Sequence, residues 1–213
     1  CDALGEHALA MLLSLLNNLK QGDSQIKQGV WDREGNRGYE LSNRTIGIIG
    51  YGFMGQAFAK KAKSFGCDIL AYDKYKKNYS DDYVQEATLL EIFEKCDVLS
   101  LHVPLTQETN GLLNEVFLQK FKKPFWLINT ARGQVLILED LIKILEDGKI
   151  LGAGLDVLEN EKLKTLTEEQ ANTLNKLSKL SNVVLSPHVG GWSFESYEKI
   201  SSVLAEKISR IVL

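Results

Sequence analysis

Cysteine is scarce in this chain: three in 213 residues, at Cys1, Cys67 and Cys96, with no CxxC pair. An odd, widely spaced set supports neither a disulfide framework nor a zinc site, and it points to a reducing compartment, the cytoplasm. No metal is expected. A basic excess is missing as well, since 25 Lys and Arg stand against 28 Asp and Glu for a formal net charge of −3. Nucleic-acid binders usually show a basic face or stripe. The short clusters Lys60, Lys61, Lys63 and Lys74, Lys76, Lys77 read instead as solvated helix and loop faces. A membrane-length apolar run is also lacking. The stretch 8–16 is too short to span a bilayer, and Asp2 and Glu6 precede it where a secretory signal needs basic residues. Neither nucleic acid nor membrane is expected as a partner. Internal repeats and low-complexity tracts are absent too.

What remains is ordinary for a globular domain: 44% hydrophobic and 25% charged residues, in a chain long enough to bury a sizeable core. Residues 5–20 read as one helix, apolar nearly all round up to Leu16, which must be covered on more than one side. Residues 21–44 are polar and glycine-bearing, an excursion with a short helix at most. From Thr45 onward, strands alternate with helices. Strands are expected at 45–50, 68–72, 98–103, 125–129, 153–157 and 182–186. Helices are expected at 54–65, 89–95 (capped by Thr88), 114–121, 139–146 and 195–211. The polar stretch 160–179 reads as a loop plus a helix, an insertion. Strands written as continuous apolar runs between helices imply a parallel sheet covered on both faces, a doubly wound α/β domain. The whole of 1–213 is taken as one such domain, with 1–44 an N-terminal helix and excursion and 193–213 a C-terminal helix.

The motif with chemical content is Gly50-Tyr51-Gly52-Phe53-Met54-Gly55. A GxGxxG alone is weak, but this one follows a strand and opens a helix. Gly50 permits the tight turn, Gly52 lets backbone approach a pyrophosphate, and Gly55 lets helix and strand pack closely. The amides of Phe53 and Met54 then sit at a helix N-terminus, which favours anions. Asp73 ends the next strand, where a carboxylate accepts hydrogen bonds from ribose hydroxyls and repels a 2′-phosphate, favouring NAD over NADP. Lys74, Lys76 and Lys77 weaken that preference.

Six further motifs occur in one order: Gly5-Glu6-His7-Ala8, Thr45-Ile46-Gly47-Ile48-Ile49-Gly50, Leu101-His102-Val103-Pro104-Leu105-Thr106, Asn129-Thr130-Ala131-Arg132-Gly133, Gly154-Leu155-Asp156-Val157 and Ser186-Pro187-His188-Val189-Gly190-Gly191. Together they resemble the D-isomer-specific 2-hydroxyacid dehydrogenase family over nearly the whole chain. The resemblance implies a Rossmann domain with NAD as cofactor and a small 2-hydroxy or 2-keto acid as substrate. By it, Arg132 binds the substrate carboxylate, which suits a planar guanidinium. His188 is the acid–base group, since an imidazole titrates near neutral pH. Glu161 is its carboxylate partner, with Glu159 two residues away as the competing candidate. Asp156 is placed at the nicotinamide end. Thr130, Ala131, His102 and Pro104 line the cofactor cleft, as do Gly190 and Gly191 beyond His188. His7 and His102 are read as structural and not as acid–base groups. Trp192 stands where the family has a small residue and is read as a core side chain, with a substrate or interface contact as the alternative.

The resemblance also implies a second, substrate-binding domain built from sequence on both sides of the cofactor domain. Most of it is expected to be absent here, so that the chain binds NAD but turns substrate over slowly. The pattern looks most similar to the family's 3-phosphoglycerate dehydrogenases, which implies serine biosynthesis. Two alternatives stand beside that reading: an NAD(H)-sensing corepressor-like module, and an NADP-linked glyoxylate or hydroxypyruvate reductase. The apolar helix at 5–20 resembles the element by which relatives pair two subunits, which implies a homodimer. The other reading is that it packs on a lost domain.

Overall fold

The computed structural model describes residues 1–212. Seven strands form one parallel sheet: β1 Thr45–Ile49, β2 Asp68–Tyr72, β3 Gln85–Glu86, β4 Val98–Leu101, β5 Phe125–Asn129, β6 Ile150–Leu155 and β7 Val183–Leu185. Their spatial order is β3-β2-β1-β4-β5-β6-β7, and every neighbouring pair is parallel. Eight helices accompany them: α1 Asp2–Leu16, α2 Leu19–Lys27, α3 Phe53–Lys63, α4 Leu89–Lys95, α5 Glu115–Leu118, α6 Leu138–Glu146, α7 Glu168–Lys179 and α8 Phe194–Val212.

The period of two along each strand sends alternate side chains to opposite faces. Two apolar clusters result. Ile46, Ile48, Val98, Trp126 and Ile128 face one side, where α1 and α3 cover them. Ile49, Leu99, Leu101, Phe125 and Leu127 face the other, against α4, α5 and α6. Both faces of the central strands are therefore dry, which is why β4 and β5 are buried along their whole length and apolar but for Ser100 and Asn129.

The helix expected at 5–20 stops at Leu16. Asn18 takes a left-handed backbone (φ +50), and a separate helix, α2, begins at Leu19. Asparagine tolerates that conformation better than most residues. The cover that α1 requires comes from within the chain: α3 flanks it, and β5, β6 and β7 lie beneath. Its buried residues, Gly5, Ala8, Met11, Leu12, Leu15 and Leu16, follow the helical repeat. The helix expected at 114–121 is a single turn, α5, capped by the Asn114 side chain on the Phe117 N–H. Thr88 caps α4 in a reciprocal capping box with Glu91. The polar stretch 160–179 holds a short 3₁₀ turn and α7. No described helix is long and apolar enough to cross a membrane, and no metal-binding cluster occurs among the described residues.

Candidate active site

The chain fills one side of the sheet from β1 through β2 to β3, then crosses back beside β1 to place β4. Loops leaving the carboxyl ends of β1 and β4 part in opposite directions there. Open parallel sheets bind ligands in that crevice. The Gly50 N–H donates to the Tyr72 carbonyl (2.8 Å) and the His102 N–H to the Ile49 carbonyl (2.9 Å), holding the ends of β1, β2 and β4 level.

The glycine loop is built as its sequence requires. Gly50 has φ +93, and a Cβ there would lie 2.6 Å from the His102 carbonyl oxygen. A Cβ on Gly55 would collide with the Gly50 carbonyl oxygen, so α3 crosses β1 at a distance only glycine allows. At Gly52, by contrast, an added Cβ would meet nothing within 4 Å. That open side is where a ligand can approach the backbone. Gly52 starts α3 without a side-chain cap, so the first amides of the helix remain free for an anion.

Two adjoining cavities occupy the crevice and share His102, Val103 and Pro104. The first, of about 380 Å³, lies over Gly50, Gly52, Tyr72 and Asp73. The second, of about 430 Å³, is lined by Met54, Thr130, Ala131, Arg132, Asp156, His188 and Gly191, among others. Most of the expected site residues thus meet on one trough. Phe53, Gly55, Gly190 and Glu161 do not line it. Phe53 is 80% exposed at the start of α3, Gly55 serves helix–strand packing, and Gly190 and Glu161 stand behind the wall.

Arg132 follows β5 on a loop held by a fully buried asparagine. The Asn129 side chain accepts from the Ala131 N–H (3.1 Å) and donates to the Arg132 carbonyl (3.2 Å). The guanidinium is exposed and donates one hydrogen bond, from Nη1 to the Ala131 carbonyl. Four more N–H donors belong to the group.

His188 has φ +57, a left-handed backbone that is strained for a residue with a Cβ. Asp156 imposes it. The His188 N–H donates to the Asp156 carbonyl (2.7 Å). The Asp156 carboxylate, only 2% exposed, accepts from the Val189 N–H (2.9 Å), the Gly190 N–H (2.8 Å) and the Ser186 hydroxyl (2.6 Å). His7 of α1 approaches the same carboxylate at 3.3 Å and shares a hydrogen bond with Ser186 (2.8 Å). Asp156 lines the cavity beneath Arg132 and His188, yet most of its hydrogen-bonding capacity is spent on the 186–190 turn. His7 thus touches the two side chains that hold this turn.

The imidazole of His188 meets Glu161 through Nδ1 at 2.9 Å. An ionised carboxylate only accepts, so Nδ1 carries the proton and Nε2 is the ring's acceptor. Glu159 is engaged elsewhere. Its carboxylate accepts from the Leu138 N–H (2.9 Å) at the start of α6, and burial raises its pKa. The geometry therefore favours Glu161 of the two candidates.

Two buried polar atoms on the trough lack partners, Nδ1 of His102 and Oγ1 of Thr130. A buried group of this kind ordinarily finds a partner. His102 bonds Ser100 through Nε2 (2.9 Å), and burial drives its pKa down to about 3, so it stays neutral. Both orphans, the open side of Gly52 and the carboxylate of Asp73 fit a dinucleotide lying along the crevice.

Trp192 departs from its expected place. It is 75% exposed on the rim of the second cavity, 6.1 Å from the Tyr197 ring, and takes no part in the core. Its neighbours Gly191 and Phe194 are exposed as well, so the turn that carries it offers no interior for the indole to enter. The lysines after Asp73 are likewise more than solvated. Lys74 pairs with Glu108 at 2.7 Å, and Lys76 donates to the Tyr51 carbonyl at 2.6 Å. Asn129 and Ser186 open two of the quoted motifs but carried no role of their own in the sequence, and Glu108 lies outside every motif, since its partners Lys74 and Tyr75 are more than thirty residues away along the chain.

Several known proteins are similar to this chain. Residues 9–190 match the family model described as D-isomer specific 2-hydroxyacid dehydrogenase, NAD binding domain. A glyoxylate reductase of Pyrococcus furiosus is 37% identical over 97% of this chain and 62% of its own length. A D-3-phosphoglycerate dehydrogenase of Haemophilus influenzae is 35% identical over 96% of this chain and 49% of its own. Among solved structures, D-lactate dehydrogenase from Aquifex aeolicus, complexed with NAD and lactic acid, superposes with a TM-score of 0.89 at 30% identity, covering 99% of this chain and 66% of that one. The chain thus spans about 62% of the length of that glyoxylate reductase.

Proposed function

Because the chain belongs to the D-isomer-specific 2-hydroxyacid dehydrogenase family, we propose that it holds the NAD site and acid–base group of an enzyme interconverting a small D-2-hydroxy acid and its 2-keto acid. The observation that carries this is the meeting of Arg132 and His188 on one cavity, with Glu161 at 2.9 Å behind the imidazole.

Gly50, Gly52 and the first amides of α3 hold the pyrophosphate, Asp73 the adenosine ribose, and Thr130 and His102 the nicotinamide half. The bound cofactor supplies hydride acceptance and donation. Arg132 presents its planar fork to the substrate carboxylate and neighbouring oxygen, fixing both in one plane. Nε2 of His188 takes the hydroxyl proton during oxidation and returns it during reduction. Glu161 keeps the ring in the tautomer with Nδ1 protonated and offsets the positive charge the ring acquires.

The relatives bear the names glyoxylate reductase and D-3-phosphoglycerate dehydrogenase. NADH oxidation by the intact protein with glyoxylate, hydroxypyruvate and 3-phosphohydroxypyruvate separates these substrates. Arg132→Lys is expected to reduce kcat/KM about 10- to 100-fold on whichever acid is used, because a charged hydrogen bond contributes about 1.5–3 kcal/mol. Tight NADH binding with no turnover of any 2-keto acid would refute the enzyme and favour the sensing module. A cytoplasmic homodimer belongs to the same proposal, and sedimentation of the intact protein tests the dimer.

A further inference from the structure

The cavity over Asp73 carries a feature that neither the family match nor the reaction explains. Glu108, on the loop after β4, reaches across to the segment after β2. Its Oε1 meets Lys74 Nζ at 2.7 Å, and its Oε2 accepts from the Tyr75 hydroxyl at 2.6 Å. Both carboxylate oxygens are occupied. The loop that presents it is braced from within: the Thr109 hydroxyl donates to the Pro104 carbonyl (2.7 Å) and accepts from the Thr106 N–H (2.8 Å). The Tyr75 N–H, next to Lys74, donates to Asp73 Oδ1 (3.0 Å), so the same short segment ties Asp73 to Glu108. All four residues line the one cavity.

The clasp is not a stability device. The Lys74 and Glu108 side chains are 54% and 53% exposed, and exposed ion pairs add little to folding. What it alters is the charge at the mouth of the cavity. A 2′-phosphate on the adenosine ribose needs a cation close to the end of β2, where relatives of this fold that take NADP place an arginine. Lys74 is the side chain in position to supply one, and Glu108 consumes it. The neighbouring Lys76 is turned into the glycine loop, on the Tyr51 carbonyl.

We propose that Glu108 is a cofactor-specificity residue, which excludes NADP by neutralising Lys74 and adding a second carboxylate beside Asp73. The proposal rests on the dinucleotide site described above. Removing the charge of Glu108 releases Lys74 toward a 2′-phosphate.

The test is dissociation constants for NADH and NADPH, read from the fluorescence of the reduced nicotinamide on the intact protein. Glu108→Gln is expected to tighten NADPH about tenfold, the yield of one hydrogen bond to a charged group, with the NADH constant changed by no more than about twofold. Adding Lys74→Ala to Glu108→Gln is expected to erase the gain. An unchanged NADPH-to-NADH ratio in Glu108→Gln, or a gain that survives Lys74→Ala, overturns the proposal while the cofactor site stands. A wild-type protein that binds neither dinucleotide overturns the cofactor site and this proposal together.

Discussion

Asp156→Asn isolates what holds His188 in its left-handed turn. The change keeps the size of the side chain and replaces one acceptor oxygen by a donor. The better orientation keeps the amide oxygen at Oδ1, where it serves Ser186 and the Val189 N–H. The new NH₂ group then faces the Gly190 N–H, which sits 2.8 Å from Oδ2 in the native turn. One hydrogen bond to a charged group is lost, about 1.5–3 kcal/mol, and a buried N–H is left without an acceptor, about 1–3 kcal/mol more. Relief from burying a carboxylate offsets part of this. A net loss of about 3 kcal/mol is expected, which a domain with about 5–15 kcal/mol of stability survives folded. Urea unfolding at pH 7.5 measures the loss, and amide hydrogen exchange locates it at Val189 and Gly190. Asp73→Asn is the control. Its carboxylate also accepts two backbone N–H groups, at 3.0 Å each, but it is partly solvated and should cost at most about 1 kcal/mol. Equal losses in the two variants, with Gly190 still protected, would show that the turn is not held by this carboxylate.

Three further outcomes are expected. Glu161→Gln should lower kcat about 10- to 100-fold at unchanged folding stability, part of the 10²–10⁴ of general acid–base catalysis; Glu159→Gln should instead cost about 1 kcal/mol of stability at the start of α6 and leave kcat alone. Equal kinetic effects would contradict the pairing seen here. His102 has its pKa depressed by burial to about 3 from an ordinary value of 6.5. The unfolded chain takes up its proton first, so this residue's contribution to stability is complete above pH 6.5 and is lost as pH falls from there toward 3. His102→Gln should therefore flatten the fall in unfolding free energy between pH 6.5 and 4, and parallel curves would count against it. Gly55→Ala should push α3 off β1 at a cost of about 1–3 kcal/mol, the range for overpacking, and weaken NADH binding, both read by calorimetry.

Much of the fold was legible because its signals are local. Each central strand is a mainly apolar run, so β2, α4 and β5 begin and end where the sequence places them. The short β3 was missed because two residues, Gln85 and Glu86, carry no periodicity. The break at Asn17 and Asn18 was missed because apolar spacing ran smoothly up to it, while the left-handed turn depends on one backbone angle.

Motif order, read through the family resemblance, predicted that a glycine loop, an arginine after one strand and a histidine after another serve one site, and each lies at a strand's carboxyl end, where a parallel sheet aligns them. The choice between Glu159 and Glu161 lay beyond it. The two are equally acidic and two residues apart, and only the path of the loop sends one to the α6 amide and the other to the imidazole. Likewise Lys74 and Glu108 look like separate surface charges until β4 lands beside β1 and brings their loops together across the cavity. Local patterns fix which chemistry a chain carries; contacts between distant segments decide which of those groups are free to act.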